Sequence, residues 1–153
     1  MTRNPNPKSD QEFPLTLPRL AVLSLAVLLT GCAVNRSANL TPELQNALDT
    51  PLYCNNASEC KLMWERGIYY VANNSKWRVV AETSNLIETE RPYKNYYALA
   101  YSITREPMGE GRYRIATAAW CGLKDWECRP HADEGLARAK YYMKTGQQLT
   151  TAR

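Results

Sequence analysis

The sequence predicts an α+β domain: a four-stranded antiparallel meander with an N-terminal and a C-terminal helix packed on one face. Three observations carry that expectation. Two long segments, Tyr96 to Glu106 and Arg112 to Cys121, alternate larger residues with smaller or polar ones. They are separated by the turn-rich Pro107-Met108-Gly109-Glu110-Gly111, which is the pattern of an antiparallel hairpin. One stretch of helical periodicity precedes them after Cys54, and another follows Pro130. Elements joined by short connections tend to be neighbours in space, which favours a meander with both helices on the same side.

In chain order, the first firm element follows Cys54. Asn56 with Glu59 resembles a capping box. Cys60, Met63, Trp64, Gly67, Ile68 and Val71 then recur at helical spacing, while Lys61, Glu65 and Arg66 fall off that stripe. A helix is expected from Ser58 to Val71, stopped by Asn73-Asn74, with Trp64 in the core. Trp77, Val79 and Ala81 alternate with Arg78, Val80 and Glu82, which predicts a half-buried strand. Thr83-Ser84-Asn85 supplies a turn, and Leu86 to Glu90 a short second strand. Arg91-Pro92 ends it, because proline has no N–H to give to a ladder.

In the third strand Tyr97, Leu99, Tyr101 and Ile103 form one face, and Ala98, Ala100, Ser102 and Thr104 the other. The fourth strand places Tyr113, Ile115, Thr117 and Ala119 on one side. An irregular loop from Cys121 to Cys128 contains Trp126. The last helix is expected from Ala132 to Gln147. Asp133 and Glu134 sit in its first turn, where the helix dipole favours them. Ala132, Leu136, Ala139 and Met143 form a narrow apolar stripe, and Gly135 allows close packing on the sheet.

Upstream of the domain the chain reads as an address. Arg3, Lys8 and Arg19 precede the apolar run Leu20 to Leu29, which ends at Leu29-Thr30-Gly31-Cys32. That run is about ten residues, the length of a secretion signal's hydrophobic region and half of the roughly 20 that a membrane span needs. Leu29 to Cys32 resembles a bacterial lipobox. The resemblance implies cleavage before Cys32 and lipidation of that residue with acyl chains such as palmitate. Two or more such chains anchor a protein stably. Ala33 follows Cys32 in place of the Asp that often marks inner-membrane retention in such lipoproteins, which points to the outer membrane, facing the periplasm. Residues 1–31 are thus expected to be the signal peptide and 32–51 a flexible tether with a short helix beginning at Pro42 after the N-cap Thr41. Residues 52–149 form a single domain and 150–153 a tail.

About 120 residues remain after the signal, enough for one domain. The formal net charge of the full chain is +4, with acids and bases interspersed, which gives no argument for a nucleic-acid partner. Phe13 lies in the leader, so the mature aromatic content is four Trp and ten Tyr. Cys54, Cys60, Cys121 and Cys128 make an even set, which in an exported chain reads as disulfides. Four cysteines allow three connectivities; short spacing favours Cys54 with Cys60 and Cys121 with Cys128. No tight Cys-x-x-Cys pair supports zinc, and no metal or cofactor is expected.

No catalytic motif emerges. His131 is the single histidine, at a helix start. Glu88 and Glu90 share one face of a short strand and could form a carboxylate pair, although charges on an edge strand also block aggregation. Tyr93, Tyr96, Tyr97 and Tyr101 cluster beside Lys94 and Asn95, a composition that can bind sugars. Ala98, Ala100, Ser102, Ala116, Ala118 and Trp120 would make a small-residue sheet face, either a candidate interaction surface for an envelope protein complex or for self-association, or ordinary core if the tether or a loop folds over it. The expected function is a membrane-anchored binding or assembly module. The alternative is an enzyme acting on an envelope polymer, peptidoglycan or polysaccharide.

Several residues together carry a resemblance to small lipoproteins of Gram-negative bacteria. They are Cys54 and Glu59-Cys60 ahead of Trp64, then Ile87-Glu88-Thr89, and Arg105-Glu106-Pro107 with Gly109 and Gly111. The Cys121 and Cys128 loop before the final helix completes the set. That resemblance covers most of the chain after Pro51; it implies no activity and transfers no functional residues.

Overall fold

A computed structural model describes residues 40–93, 96–124 and 127–149. The expected signal peptide, Cys32, the first part of the tether, Lys94, Asn95, Trp126 and the tail lie outside the described residues. The element order is α1 (Pro42–Asp49), β1 (Leu52–Cys54), α2 (Ala57–Asn74), β2 (Val79–Glu82), β3 (Leu86–Thr89), β4 (Leu99–Gly109), β5 (Arg112–Cys121) and α3 (Ala132–Thr145).

The domain is α+β, with one antiparallel sheet of five strands in the spatial order β1-β5-β4-β3-β2. The expected four-strand meander is therefore present, and β1 adds a fifth strand on its far edge. Three residues are too few to display alternation in sequence. Their strand identity comes from pairing, with Leu52 opposite Ile115 and Cys54 opposite Tyr113.

The short helix expected at Pro42 is present, but it docks on the domain instead of lying in a free tether. Thr41 accepts a hydrogen bond from the Leu44 N–H at 3.4 Å, and Pro42 opens α1. Leu44 is fully buried, α1 packs against α3, and the Lys140 ammonium donates to the Leu48 carbonyl at 2.6 Å. One apolar residue and a cation at the helix C-terminus hold α1 on the domain; such a cation is favoured there by the dipole.

The N-terminus of α2 has one half of the expected capping box, and the return bond reaches one residue past the cap: Asn56 Oδ1 accepts from the Glu59 N–H at 2.9 Å. Glu59 Oε2 accepts from the Asn55 N–H at 2.8 Å. Cys60, Met63, Trp64, Gly67, Tyr70 and Val71 are its buried residues. They pack with Ile87, Leu99, Tyr101, Ile103 and Ile115 from the sheet and with Ala139 and Met143 from α3.

Two glycines set the spacing of this layer. A Cβ on Gly67 would sit 3.1 Å from Met143 Cε. A Cβ on Gly135 would collide with Leu99 Cδ1 and come within 2.8 Å of the Tyr101 hydroxyl, so α3 lies on β4 as Gly135 suggested. Burial pushes the Tyr70 hydroxyl up to about 12 and raises that of Tyr101 further, so both stay neutral. Tyr70 donates to the Gly135 carbonyl at 3.3 Å, and the two rings meet edge to face.

β4 begins at Leu99 rather than Tyr96. Trp77 Nε1 donates to the Ala98 carbonyl and Ser75 Oγ to the Leu99 carbonyl, both at 3.0 Å. These bonds draw the start of the strand toward the α2–β2 connection. Tyr97 is consequently 65% exposed and does not join Leu99, Tyr101 and Ile103 beneath the helices. In α3 the buried positions are Gly135, Ala137, Ala139 and Met143. Ala132 and Leu136 are only half-buried, because the helix packs on α1 as well as on α2 and the sheet.

Candidate functional site

The site is built from the register of the sheet. Because Leu99, Tyr101, Ile103 and Ile115 point toward α2 and α3, the alternate residues of β4 and β5 point away from them. On this outer face Leu86, Thr104 and Ala116 lie in one row, and Glu88, Ser102 and Ala118 in the next. Ala100 pairs with Trp120 at one end; Glu106, Arg114 and Tyr53 line up at the other. Ion pairs fringe the face: Glu106 with Arg114 at 2.6 Å and Glu88 with Arg91 at 3.7 Å.

Of the residues expected to form an interaction face, Ser102, Ala116, Ala118 and Trp120 share this surface. Two depart from the expectation. Ala98 lies before β4, with its carbonyl engaged by Trp77. Ala100 points outward but is fully buried. The cause is the β3–β4 connection. The Arg91 guanidinium lies 4.1 Å above the Trp120 ring. Gly122 approaches the main chain at Tyr93 so closely that any Cβ there would strike the Tyr93 carbonyl. That end of the face is closed. The open part is displaced toward Thr104 and Ala116, with Tyr53 at 40% exposure beside it. Tyr53 was not readable, because β1 shows no pattern of its own, and β2 departs from its expected alternation: a register shift between Val79 and Ala81 sets Ala81 opposite Glu88 and Glu82 opposite Ile87.

The disulfides join Cys54 to Cys60, with Cα atoms 5.0 Å apart, and Cys121 to Cys128, at 5.9 Å. The first ties β1 to the first turn of α2. The second ties the end of β5 to the loop that leads into α3.

The other candidates are dispersed. Tyr101 is buried in the core and does not join the tyrosine cluster. Tyr93 and Tyr96 instead gather around Trp77, with ring centroids 5.4 Å and 4.9 Å away. Glu90 accepts from Arg78 at 2.6 Å, and Glu88 faces Arg91, so each carboxylate ends on an arginine. His131 stands at the N-cap of α3 without a side-chain cap bond, and its backbone carbonyl accepts from Gly135 N–H at 2.8 Å. Its Nε2 lies 3.4 Å from Arg129.

Among the described residues no group of three or more His, Cys, Asp or Glu side chains is arranged to hold a metal ion. No described helix is long and apolar enough to cross a membrane. No protein-family model, curated protein or solved structure matches this chain.

Proposed function

We propose that this chain is a lipoprotein of the bacterial cell envelope, anchored at the outer membrane through lipid on Cys32 and facing the periplasm. Its folded part serves as a binding or assembly module, and the outer face of the sheet takes a subunit of an envelope complex or a second copy of the chain. The observation that carries this reading is that α2 and α3 both lie against one face of the sheet. The other face has short side chains at Thr104, Ala116 and Ala118, flanked by exposed Tyr53. A sheet face meant only for water usually carries longer polar side chains, whereas short ones let a second surface approach closely. The lipobox-like Leu29-Thr30-Gly31-Cys32 supports the location.

The test uses the full chain extracted from membranes in mild detergent, with Ala116→Arg and Ala118→Glu. The expected result is loss of co-purifying partner or of self-association, with a melting temperature close to that of the parent. A large fall in melting temperature for both variants, with association retained, would make this face part of the core and sink the proposal. Cys32→Ser should move the chain from the membrane fraction to an uncleaved or soluble form; unchanged detergent partition and no loss of acyl mass would refute the anchor.

A further inference from the structure

The first helix sits on the far side of α3 from the sheet. At about 3.6 residues per turn, Gly135, Ala139 and Met143 mark the side of α3 that meets the sheet and α2. Ala137 falls on the opposite side and is fully buried as well. Lys140 leaves α3 beside Ala137 and reaches the Leu48 carbonyl of α1. Among the described residues, Leu44 and Ala137 are fully buried yet stand outside the apolar cluster between the sheet, α2 and α3. α1 is therefore a third layer, held over α3 by a small contact of its own.

Such a layer can leave without disturbing the rest. Leu44 is the fully buried side chain of α1, with Ala47 and Leu48 half-buried and Pro42, Glu43, Asn46 and Asp49 exposed. A helix of eight residues is too short to persist alone in water, where even about 12–15 residues are marginal. α1 is thus helical because it is docked, and undocking unwinds it. Docking also strips water from the Lys140 ammonium. Burial lowers its pKa, with the Asp49 charge acting the other way, and that loss of hydration works against closure. The unwinding has a fixed end. Pro51 stops the helix from running on into β1, and the Cys54–Cys60 bridge holds β1 to α2.

We propose that α1 is a releasable strap: it unwinds from α3 while the sheet, α2 and α3 stay folded, and so sets the length of chain between Cys32 and the domain. With the strap closed, nine residues separate Cys32 from Pro42; with it open, nineteen separate Cys32 from Leu52. The longest span that this chain can bridge rises from about 30 Å to about 65 Å. A partner close to the anchoring surface is reached with the strap closed, and a distant one only with it open. The control of reach rests on lipid at Cys32, whereas the strap itself does not. Neither uses the residues of the outer sheet face.

The test is hydrogen exchange on the full chain in mild detergent. The amides of Gln45 to Thr50 should exchange at least about a hundredfold faster than those of Met63 to Val71, because they open locally rather than with the whole domain. Leu44→Asp should abolish the protection that α1 retains and lower the melting temperature by no more than about 3 °C. Met143→Ala, at an equally buried site in the main cluster, should lower it by about 10 °C or more. α1 amides exchanging in step with those of α2 would overturn the strap. So would a fall in melting temperature for Leu44→Asp as large as that for Met143→Ala. On a supported bilayer, neutron reflectometry should place the domain of Leu44→Asp farther out than that of the parent by roughly 5 Å or more. An unchanged distance would overturn the control of reach. Loss of the parent itself from the bilayer would strike the lipid anchor and the reach with it, and exchange would still decide the strap.

Discussion

The two faces of one sheet follow opposite rules in this molecule. On the inner face Ile87, Leu99, Tyr101, Ile103 and Ile115 are at most 4% exposed and meet two helices. On the outer face the same strands carry Thr104, Ala116 and Ala118, with arginine–glutamate pairs around them. Adjacent residues of β4 thus face different solvents at a spacing of one position. The inner face is held by apolar burial and by glycines that admit the helices. The outer face is held by exposed ion pairs, which contribute little to stability, about 0–1 kcal/mol each. Stability is therefore concentrated on one side of the sheet, and the other side is left available for contact.

The sharpest test sets neighbours on one strand against each other. Ile103→Ala should lower the unfolding free energy by about 2–5 kcal/mol, because it empties a fully buried site. Thr104→Ala, one residue along and exposed, should change it by no more than about 0.5 kcal/mol. Urea unfolding of both variants decides the matter; similar losses would mean that the outer face is as tightly packed as the inner one.

A smaller effect is expected from Gly135→Ala. The new methyl would press on Leu99 and on the Tyr101 hydroxyl, and overpacking of this kind costs about 1–3 kcal/mol. Leu99 has a flexible end, so the cost should be partly relieved in the double variant Gly135→Ala with Leu99→Val; additive losses would mean that the two residues do not compete for one space.

The smallest effect belongs to the rim of the helical layer. The Lys144 ammonium, 2.7 Å away, together with the Asn55 N–H, holds the Glu59 carboxyl below its ordinary range. A carboxyl lowered on folding contributes stability above its unfolded value, and that contribution is lost as pH falls through the lowered folded value. Glu59→Gln should therefore reduce stability slightly at neutral pH. The difference from the parent should shrink to nothing in acid. A difference that persists undiminished at low pH would locate the effect in the cap's shape rather than its charge.

The large elements were legible because each is longer than its own period. Cys60 to Val71 spans several helical turns, and the β5 segment Arg112–Cys121 is long enough for alternation to set both bounds. The Asn56 cap and the Gly135 contact were legible for a different reason: both depend on a few residues close in sequence or on the absence of one side chain. The candidate site was legible only in part. Ser102, Ala116, Ala118 and Trp120 followed from alternation, whereas the burial of Ala100 depended on Arg91 and Tyr93 crossing the sheet end.

By itself, then, the sequence determined the α+β class, the hairpin of β4 and β5, the helix starts and the inward direction of Leu99, Tyr101, Ile103 and Ile115, because these follow from local periodicity and turn chemistry. Only the tertiary structure decided the fifth strand, the docking of α1, the closing of one end of the outer face and the later start of β4. Each of those joins residues far apart in the chain: Leu52 with Ile115, Leu48 with Lys140, Arg91 with Trp120, and Trp77 with Ala98. Short segments carry too few residues to signal their own state, so their conformation is set by the partner they meet when the chain closes on itself.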